Sequence, residues 1–436
     1  MPRVAIYGSG GSPYHHAAIF AGAGSEVSFV FPPDIEAGAL DAYDAFVMPG
    51  GGYLAMKGQL DPLGAAGCQA VRRYVERGGM YIGSCAGSYS AATVPASFLR
   101  MCPMQADLRL LDSQIWNGTD SPSFVGIQSP GIGVLQAENS CPGHPVMTGM
   151  PSAFRITHYN GPLFTGGEGL AVVRGKTADF TAAEEFLGGP ADQLLIDQAA
   201  AAGAANIVAG RRGNGRVVLF GSHPEFGTSA AMDDASEAAL MLLNALRWQL
   251  DESVSPGRRP AAIVSEGHVS AETAAADLDR LPALVARMTE RCGELGAVSD
   301  SPGWLSEKAA LSMFGLSAQD IWNAALERIP ELAREVLAAA PDVGPDLLSF
   351  RAPADWPLDG GFHGVVPLLE QADEQLARAR ASWDMTPSGD GTDPYADILD
   401  SPYHLVAGSY LAAIGRAAGA ALLCRSALAP ARQAAR

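Results

Sequence analysis

The sequence has no CxxC pair, no apolar run of membrane-spanning length and a shortage of basic residues. Its six cysteines (Cys68, Cys85, Cys102, Cys141, Cys292 and Cys424) are scattered without a regular framework. That pattern suits a reducing compartment better than a disulfide-stapled secreted chain. The longest apolar stretch, Tyr410 to Cys424, is broken by Arg416 and falls short of the roughly 20 residues that a bilayer span needs. Lys and Arg number 29 against 47 Asp and Glu, a formal net charge of -18. Phosphate backbones and anionic membranes call for clustered positive charge, so neither is expected as a partner. The chain opens Met1-Pro2-Arg3 and runs directly into Val4–Tyr7, too short an apolar segment for a signal-peptide core. A soluble cytoplasmic protein is the expectation.

What is present supports packed domains. Hydrophobic residues make up 48% and charged residues 17% of 436, enough to bury sizeable cores in two or three domains. Residues 1 to 252 alternate short apolar runs with helical spacing. Strands are predicted at Val4–Tyr7, Val27–Phe31, Ala45–Met48, Met80–Gly83 and Arg216–Phe220. Helices are predicted at Pro62–Arg77, from Ala86 toward Leu99 at least as far as Pro95, and at Asp233–Leu250. Short apolar strands suit a parallel sheet buried on both faces. The expected fold is an α/β, doubly wound sheet with its ligand beyond the strands' carboxyl ends. A linker is expected over 253–265, opening with Ser253-Val-Ser-Pro-Gly-Arg-Arg-Pro260. Beyond it the β pattern stops. Helical segments at Ala271–Leu295, Ser317–Ala340, His363–Trp383 and Tyr403–Leu428 predict an all-α bundle or cap over 266–436, with Pro330 expected to kink or split the second.

Three strand ends carry the chemistry. Gly79-Met-Tyr-Ile-Gly-Ser-Cys85-Ala-Gly-Ser-Tyr89 reads as a strand, a Gly-X-Cys-X-Gly turn and a helix. Small residues at 83 and 87 let the chain bend sharply and present Cys85 as a nucleophile elbow does. A sulfur at a helix N-terminus is favoured as thiolate, and the Ala86 N–H points where an oxyanion would form. The plain alternative is a buried cysteine acting as a small hydrophobe. The second segment, Val217-Val-Leu-Phe-Gly-Ser-His223-Pro-Glu225-Phe, again delivers polar residues from a strand. His223 can act as base and then acid, with Glu225 orienting the ring. The third, Val47-Met-Pro49-Gly50-Gly51-Gly52-Tyr53, lets backbone N–H groups approach a ligand oxygen. Gly51 is the candidate second oxyanion donor, with Gly50 and Gly52 beside it.

These motifs make residues 1 to about 250 resemble the class I glutamine amidotransferase-like superfamily. Tyr81–Tyr89, Tyr159-Asn160-Gly161-Pro162-Leu163-Phe164 and Gly221–Phe226 are similar to the amidotransferase-like domain at the N-terminus of eukaryotic biotin–protein ligases. The resemblance implies a flavodoxin-like fold with Cys85, His223 and Glu225 as nucleophile, base and orienter. Glutamine-using members commonly carry Gln four residues after the cysteine; Tyr89 stands there instead. No Gly-Arg-Gly-Arg ligase signature follows, so a biotin–protein ligase is not expected.

His158, Tyr159 and Asn160, with Tyr89, are candidate substrate contacts. Gly8 to His16 is not a dinucleotide fingerprint, since its third glycine would fall on Pro13. His15 and His16 lack a third ligand at fixed spacing, so no metal and no cofactor are expected. Trp322, Trp383 and Tyr410 read as core residues on apolar helical faces. The leading expectation is a Cys-His-Glu amide hydrolase or amidotransferase-like enzyme acting through a thioester on a small amide. The alternatives are a glutaminase module feeding ammonia to a partner, and a catalytically silent binding or scaffold protein. An acceptor protein or a second copy of the chain is the partner considered.

Overall fold

The computed structural model describes residues 1–50, 55–116, 132–159, 161–176, 195–226, 237–252, 269–299, 318–352, 361–383 and 402–434. Strand β1 (Arg3–Tyr7) shows why the first segment is a central strand. Val4 and Ile6 bury on one face of the sheet, Ala5 and Tyr7 on the other, as a two-residue period demands. Strands β2 (Glu26–Val30), β3 (Ala45–Met48), β4 (Met80–Ser84), β5 (Gln114–Ile115), β6 (Ile132–Asn139), β7 (Ala153–Tyr159), β8 (Phe164–Thr165), β9 (Glu168–Lys176), β10 (Ala205–Arg212) and β11 (Gly215–Phe220) follow.

Their order in the sheet is β2-β1-β3-β4-β11-β10-β9-β6-β7, with β8 pairing β10 and β5 pairing β8 at the side. The pairs β1–β2, β1–β3, β3–β4 and β4–β11 are parallel. The order β2-β1-β3-β4-β11 is the flavodoxin-type doubly wound order. The pairs from β11 outward through β10, β9, β6 and β7 are antiparallel. One face packs on the helices Tyr14–Gly22 and Ala239–Glu252, through Phe20, Met241, Leu242 and Trp248. The opposite face packs on the helix Ala55–Glu76, through Leu60, Leu63, Val71 and Val75.

Several predicted elements change length. The helix from Ala86 stops at Ala91, and Ala92 is extended. Thr93 then bridges Gln114, and a separate helix starts at Ala96, just past Pro95. Proline thus ends the helix earlier than its own position, because the residues before it are drawn into an extended pairing. The helix predicted from Pro62 begins at Ala55 and spans a kink at Gly64. The predicted linker lies outside the described residues, as does the start of the helix predicted from Asp233.

In the second half, helices at Ala271–Ser299, Ala318–Ala339, Val365–Trp383 and Pro402–Ala434 pack around a core of their own. Pro330 does not split the second of these, which continues through it as one element. Trp383 and Tyr410 are buried in that core, as predicted; the Trp322 side chain lies outside the described residues. Two residues of the sheet half, Tyr14 and Phe31, join the same core. The Tyr14 hydroxyl donates to the Gly361 carbonyl at 2.7 Å and accepts from the His363 N–H at 3.1 Å. Phe362 stacks on Phe29 with ring centres 4.0 Å apart, and the Gly361 and Phe362 N–H groups donate to the carbonyls of Gly11 and Gly8. The helical half is therefore seated on the loop that follows β1. Among the described residues, no helix is long and apolar enough to cross a membrane.

Candidate active site

Three neighbouring parallel strands deliver the predicted site. Met48 of β3 pairs with Gly83 of β4, and Ser84 of β4 pairs with Phe220 of β11. Gly50, Cys85 and His223 therefore leave adjacent strands within one to three residues of the same edge. A methyl group built on Gly50 would lie 2.6 Å from His223 Cε1 and 2.7 Å from Cys85 Cβ. Both side chains thus stand against one glycine.

Cys85 has φ 47° and ψ -108°, and it is the one non-glycine with positive φ among the described residues. Such a conformation costs on the order of 1–3 kcal/mol and persists only where neighbours enforce it. They do so here. The Cys85 N–H donates to the Phe220 carbonyl at 2.8 Å, and its own carbonyl accepts from the Ser88 and Tyr89 N–H groups. Ser88 Oγ lies 2.8 and 2.7 Å from the Gly83 and Phe220 carbonyl oxygens, between which its single proton is shared. A side chain at Gly87 would meet the Met48 carbonyl oxygen at 2.1 Å, and one at Gly83 would meet the Gly87 backbone at 2.8 Å. The elbow exists because both flanking positions lack a Cβ. Ala86 opens the short helix and is buried.

His223 and Glu225 form the second part. His223 Nδ1 lies 2.8 Å from Glu225 Oε1, and both residues are about 1% exposed. Nε2 of His223 makes no hydrogen bond of ordinary geometry. The Cys85 sulfur nevertheless acts electrostatically on that ring. Resting contacts of this kind are commonly long until substrate binds. The Cys85 thiol donates instead to the Tyr159 carbonyl at 3.3 Å. Burial alone would strip His223 of its proton, but the Glu225 carboxylate and the Cys85 sulfur outweigh it and raise its pKa. Burial also opposes ionisation of Glu225, and His16 and His223 reverse it, so that carboxyl stays below the usual range. The arrangement favours an imidazolium–carboxylate pair.

Aromatic rings fix the imidazole. Phe226 stacks on His223 at 4.4 Å and 10°, while the Tyr159 ring meets it edge-on at 5.6 Å. Tyr159 arrives from β7, whose Thr157 bridges His223 and accepts its N–H at 2.8 Å. Beside it the backbones of Gly161 and Gly221 come so close that a Cβ at 161 would lie 1.7 Å from the Gly221 oxygen. His158 is buried 3.0 Å from Ser222 Oγ. Burial, and then the charge on His223, push its pKa down to about 3. It stands behind the His223 segment as a neutral ring. Tyr89 is buried one helical turn beyond Cys85, in the apolar layer with Val94 and Leu108. Gly51, Gly52 and Asn160 lie outside the described residues. The Gly50 carbonyl accepts from the Ser12 N–H at 2.7 Å, and the Gln59 side-chain amide donates to the Pro49 carbonyl, so the chain is held from two sides at Pro49 and Gly50.

Sequence reasoning missed two contributors. His16, weighed there only as a metal ligand, has Nε2 3.0 Å from Ser84 Oγ and 3.6 Å from Glu225 Oε2. Its neighbour His15 faces elsewhere, edge-on to Phe226 at 4.9 Å. Phe226, quoted in a motif without a role, covers a face of His223. No local period marks the contact of His16 with Glu225, which joins residues more than two hundred positions apart; Phe226 meets His223 only because the chain turns through Pro224–Phe226 just beyond the strand. Among the described residues, no group of three His, Cys, Asp or Glu could hold a metal ion.

Residues 41–98, which include Gly50 and Cys85, match a family model described as biotin-protein ligase, N terminal, in agreement with the resemblance drawn from the motifs. No curated protein matches the sequence. Solved structures similar to this chain include PurLQS from Thermotoga maritima, 14% identical, covering 57% of this chain and 99% of that one at a TM-score of 0.36. A glutamine amidotransferase from Thermotoga maritima is 15% identical, covering 58% and 99% at a TM-score of 0.34. A putative ThuA-like protein from Bacteroides uniformis is 16% identical, covering 58% and 93% at a TM-score of 0.35.

Proposed function

We propose that the chain is a cysteine-dependent amide hydrolase or amidotransferase-like enzyme acting on a small amide. In this reading His223 holds the proton given up by Cys85, as an imidazolium paired with Glu225, and Sγ attacks the amide carbonyl as the thiolate. The Ala86 N–H, with Gly51 of the glycine loop, receives the oxyanion. His223 returns the proton to the leaving amine or ammonia, and water resolves the thioester. Glu225 keeps the imidazole in the tautomer and orientation that this exchange needs. We take residues 1–252 as the catalytic domain and 266–436 as a helical cap, with 253–265 joining them.

One observation carries the reading: a non-glycine residue is held at φ 47° beside a buried His–Glu pair. A cysteine needed only for packing has no reason to occupy a strained turn. The test is intact-mass spectrometry of wild type and Cys85→Ala after incubation with a panel of primary carboxamides that includes glutamine. An acyl adduct on wild type alone is the expected result. Steady ammonia release with glutamine would identify the glutaminase form of the same chemistry. No adduct, together with no alkylation of Cys85 by iodoacetamide at any pH, would overturn the assignment.

A further inference from the structure

His16 is a fully buried titratable group that the proposed chemistry leaves unused. A carboxylate can only accept hydrogen bonds, and a buried one needs donors on both oxygens. Glu225 Oε1 has the Nδ1–H of His223. Oε2 is enclosed and makes no hydrogen bond; the basic nitrogen facing it is Nε2 of His16, at 3.6 Å. That same nitrogen lies 3.0 Å from the hydroxyl of Ser84, the residue immediately before Cys85. One imidazole edge therefore touches the strand end that carries the sulfur and the outer oxygen of the carboxylate that serves the base.

We propose that His16 is a positioning residue of the Cys85–His223–Glu225 set. Its Nε2–H is directed at Ser84 and at Glu225 Oε2, and it holds the carboxylate in the orientation that engages His223 Nδ1. The proposal rests on the reading of Cys85 as the nucleophile. The tautomer follows from electrostatics: a bare Nε2 lone pair aimed at a buried carboxylate oxygen would repel it. The charge state has a consequence too. The groups acting on His16 are Glu225, His223, Ser84 and the Ser12 backbone. Burial is the largest influence and favours the neutral ring; His223 adds to it, and Glu225 and the Ser12 backbone oppose it. A neutral Nε2–H still orients Glu225, and any positive charge that His16 carries joins His223 in holding that carboxyl down.

His16 belongs to the helix Tyr14–Gly22, and Tyr14 on that helix is bonded to Gly361 and His363. The helical half thus fixes the element from which His16 reaches the site.

The full chain, labelled with ¹⁵N-histidine, reports the tautomer directly by nuclear magnetic resonance. The expected result is a protonated Nε2 on His16; a proton on Nδ1 with Nε2 bare overturns the proposal even if no variant folds. The second measurement is the rate of Cys85 alkylation by iodoacetamide against pH for wild type, His16→Phe and His16→Gln. With the Glu225 carboxylate released, His16→Phe should move the profile by about one pH unit and slow the reaction near pH 7 by about tenfold. His16→Gln, which can still donate from its amide, should recover most of the rate. A folded His16→Phe whose profile overlays wild type, or a His16→Gln as slow as His16→Phe, overturns the proposal. An unreactive Cys85 in wild type defeats the enzyme reading instead, and the tautomer then decides the His16–Glu225 contact by itself.

Discussion

Replacing Gly50 by alanine puts a methyl group where two members of the set already stand. The new carbon would lie 2.6 Å from His223 Cε1, 2.7 Å from Cys85 Cβ and 3.0 Å from the Ser84 carbonyl oxygen. Carbon–carbon contacts settle near about 3.5–4.0 Å, so each side chain has to retreat by roughly 1 Å. Neither retreats freely. His223 is stacked on Phe226 and tied to Glu225, while Cys85 is pinned through its backbone to Phe220. Overpacking of this kind costs about 1–3 kcal/mol of stability, read as a Tm lower by roughly 2–4 °C for each kcal/mol. The larger effect is on reactivity, since a displacement of about 1 Å between reacting groups costs on the order of 100-fold. The assay is iodoacetamide alkylation of Cys85 at pH 7, followed by intact mass, with thermal unfolding run in parallel. A Gly50→Ala protein that melts roughly 2–12 °C below wild type and loses most of its Cys85 reactivity is the expected outcome. Wild-type alkylation together with an unchanged Tm would refute the placement of Gly50 between the two side chains.

Two further outcomes follow from buried groups away from the reacting atoms. His158 has a folded pKa of about 3 against 6.5 ordinarily, so the unfolded chain takes up a proton that the folded chain refuses. The associated stability is complete above about pH 6.5 and falls as pH drops below it, by about 2 kcal/mol at pH 5. Urea unfolding at pH 7 and pH 5 should therefore show a smaller difference for His158→Asn than for wild type; equal differences would rule out a neutral buried His158. Tyr14→Phe keeps the ring that packs against Gly419 but leaves the Gly361 carbonyl and the His363 N–H without their partner. Stranding buried polar groups costs about 1–3 kcal/mol, and differential scanning calorimetry that shows no change in Tm would contradict the seating of the helical half on this loop.

Much of the fold was legible locally. The five parallel strands announce themselves as short apolar runs, because a strand buried on both faces has no polar side to display. The antiparallel strands β6, β7, β9 and β10 were not read. Their runs carry exposed and charged residues such as Glu138, Arg155, Glu168 and Arg174, which dilute the two-residue pattern. The length of the elbow helix was also misjudged. Helical spacing continues through Ala92 and Val94, while the structure spends those residues on pairing with Gln114. The elbow was the clearest feature of all, since its bend depends on glycines three or fewer residues from Cys85.

The sequence by itself determined which residues can bury, where the chain can bend and which strand ends carry a sulfur, an imidazole and a carboxylate. Those are properties of neighbours along the chain, written in side-chain size and polarity. Only the tertiary structure decided that β11 lies beside β4, that the end of β7 returns to bridge His223, and that His16 reaches the far oxygen of Glu225. Each of these joins segments separated by tens to hundreds of residues. Such pairings are chosen by the closure and packing of the whole sheet, and no local period encodes them.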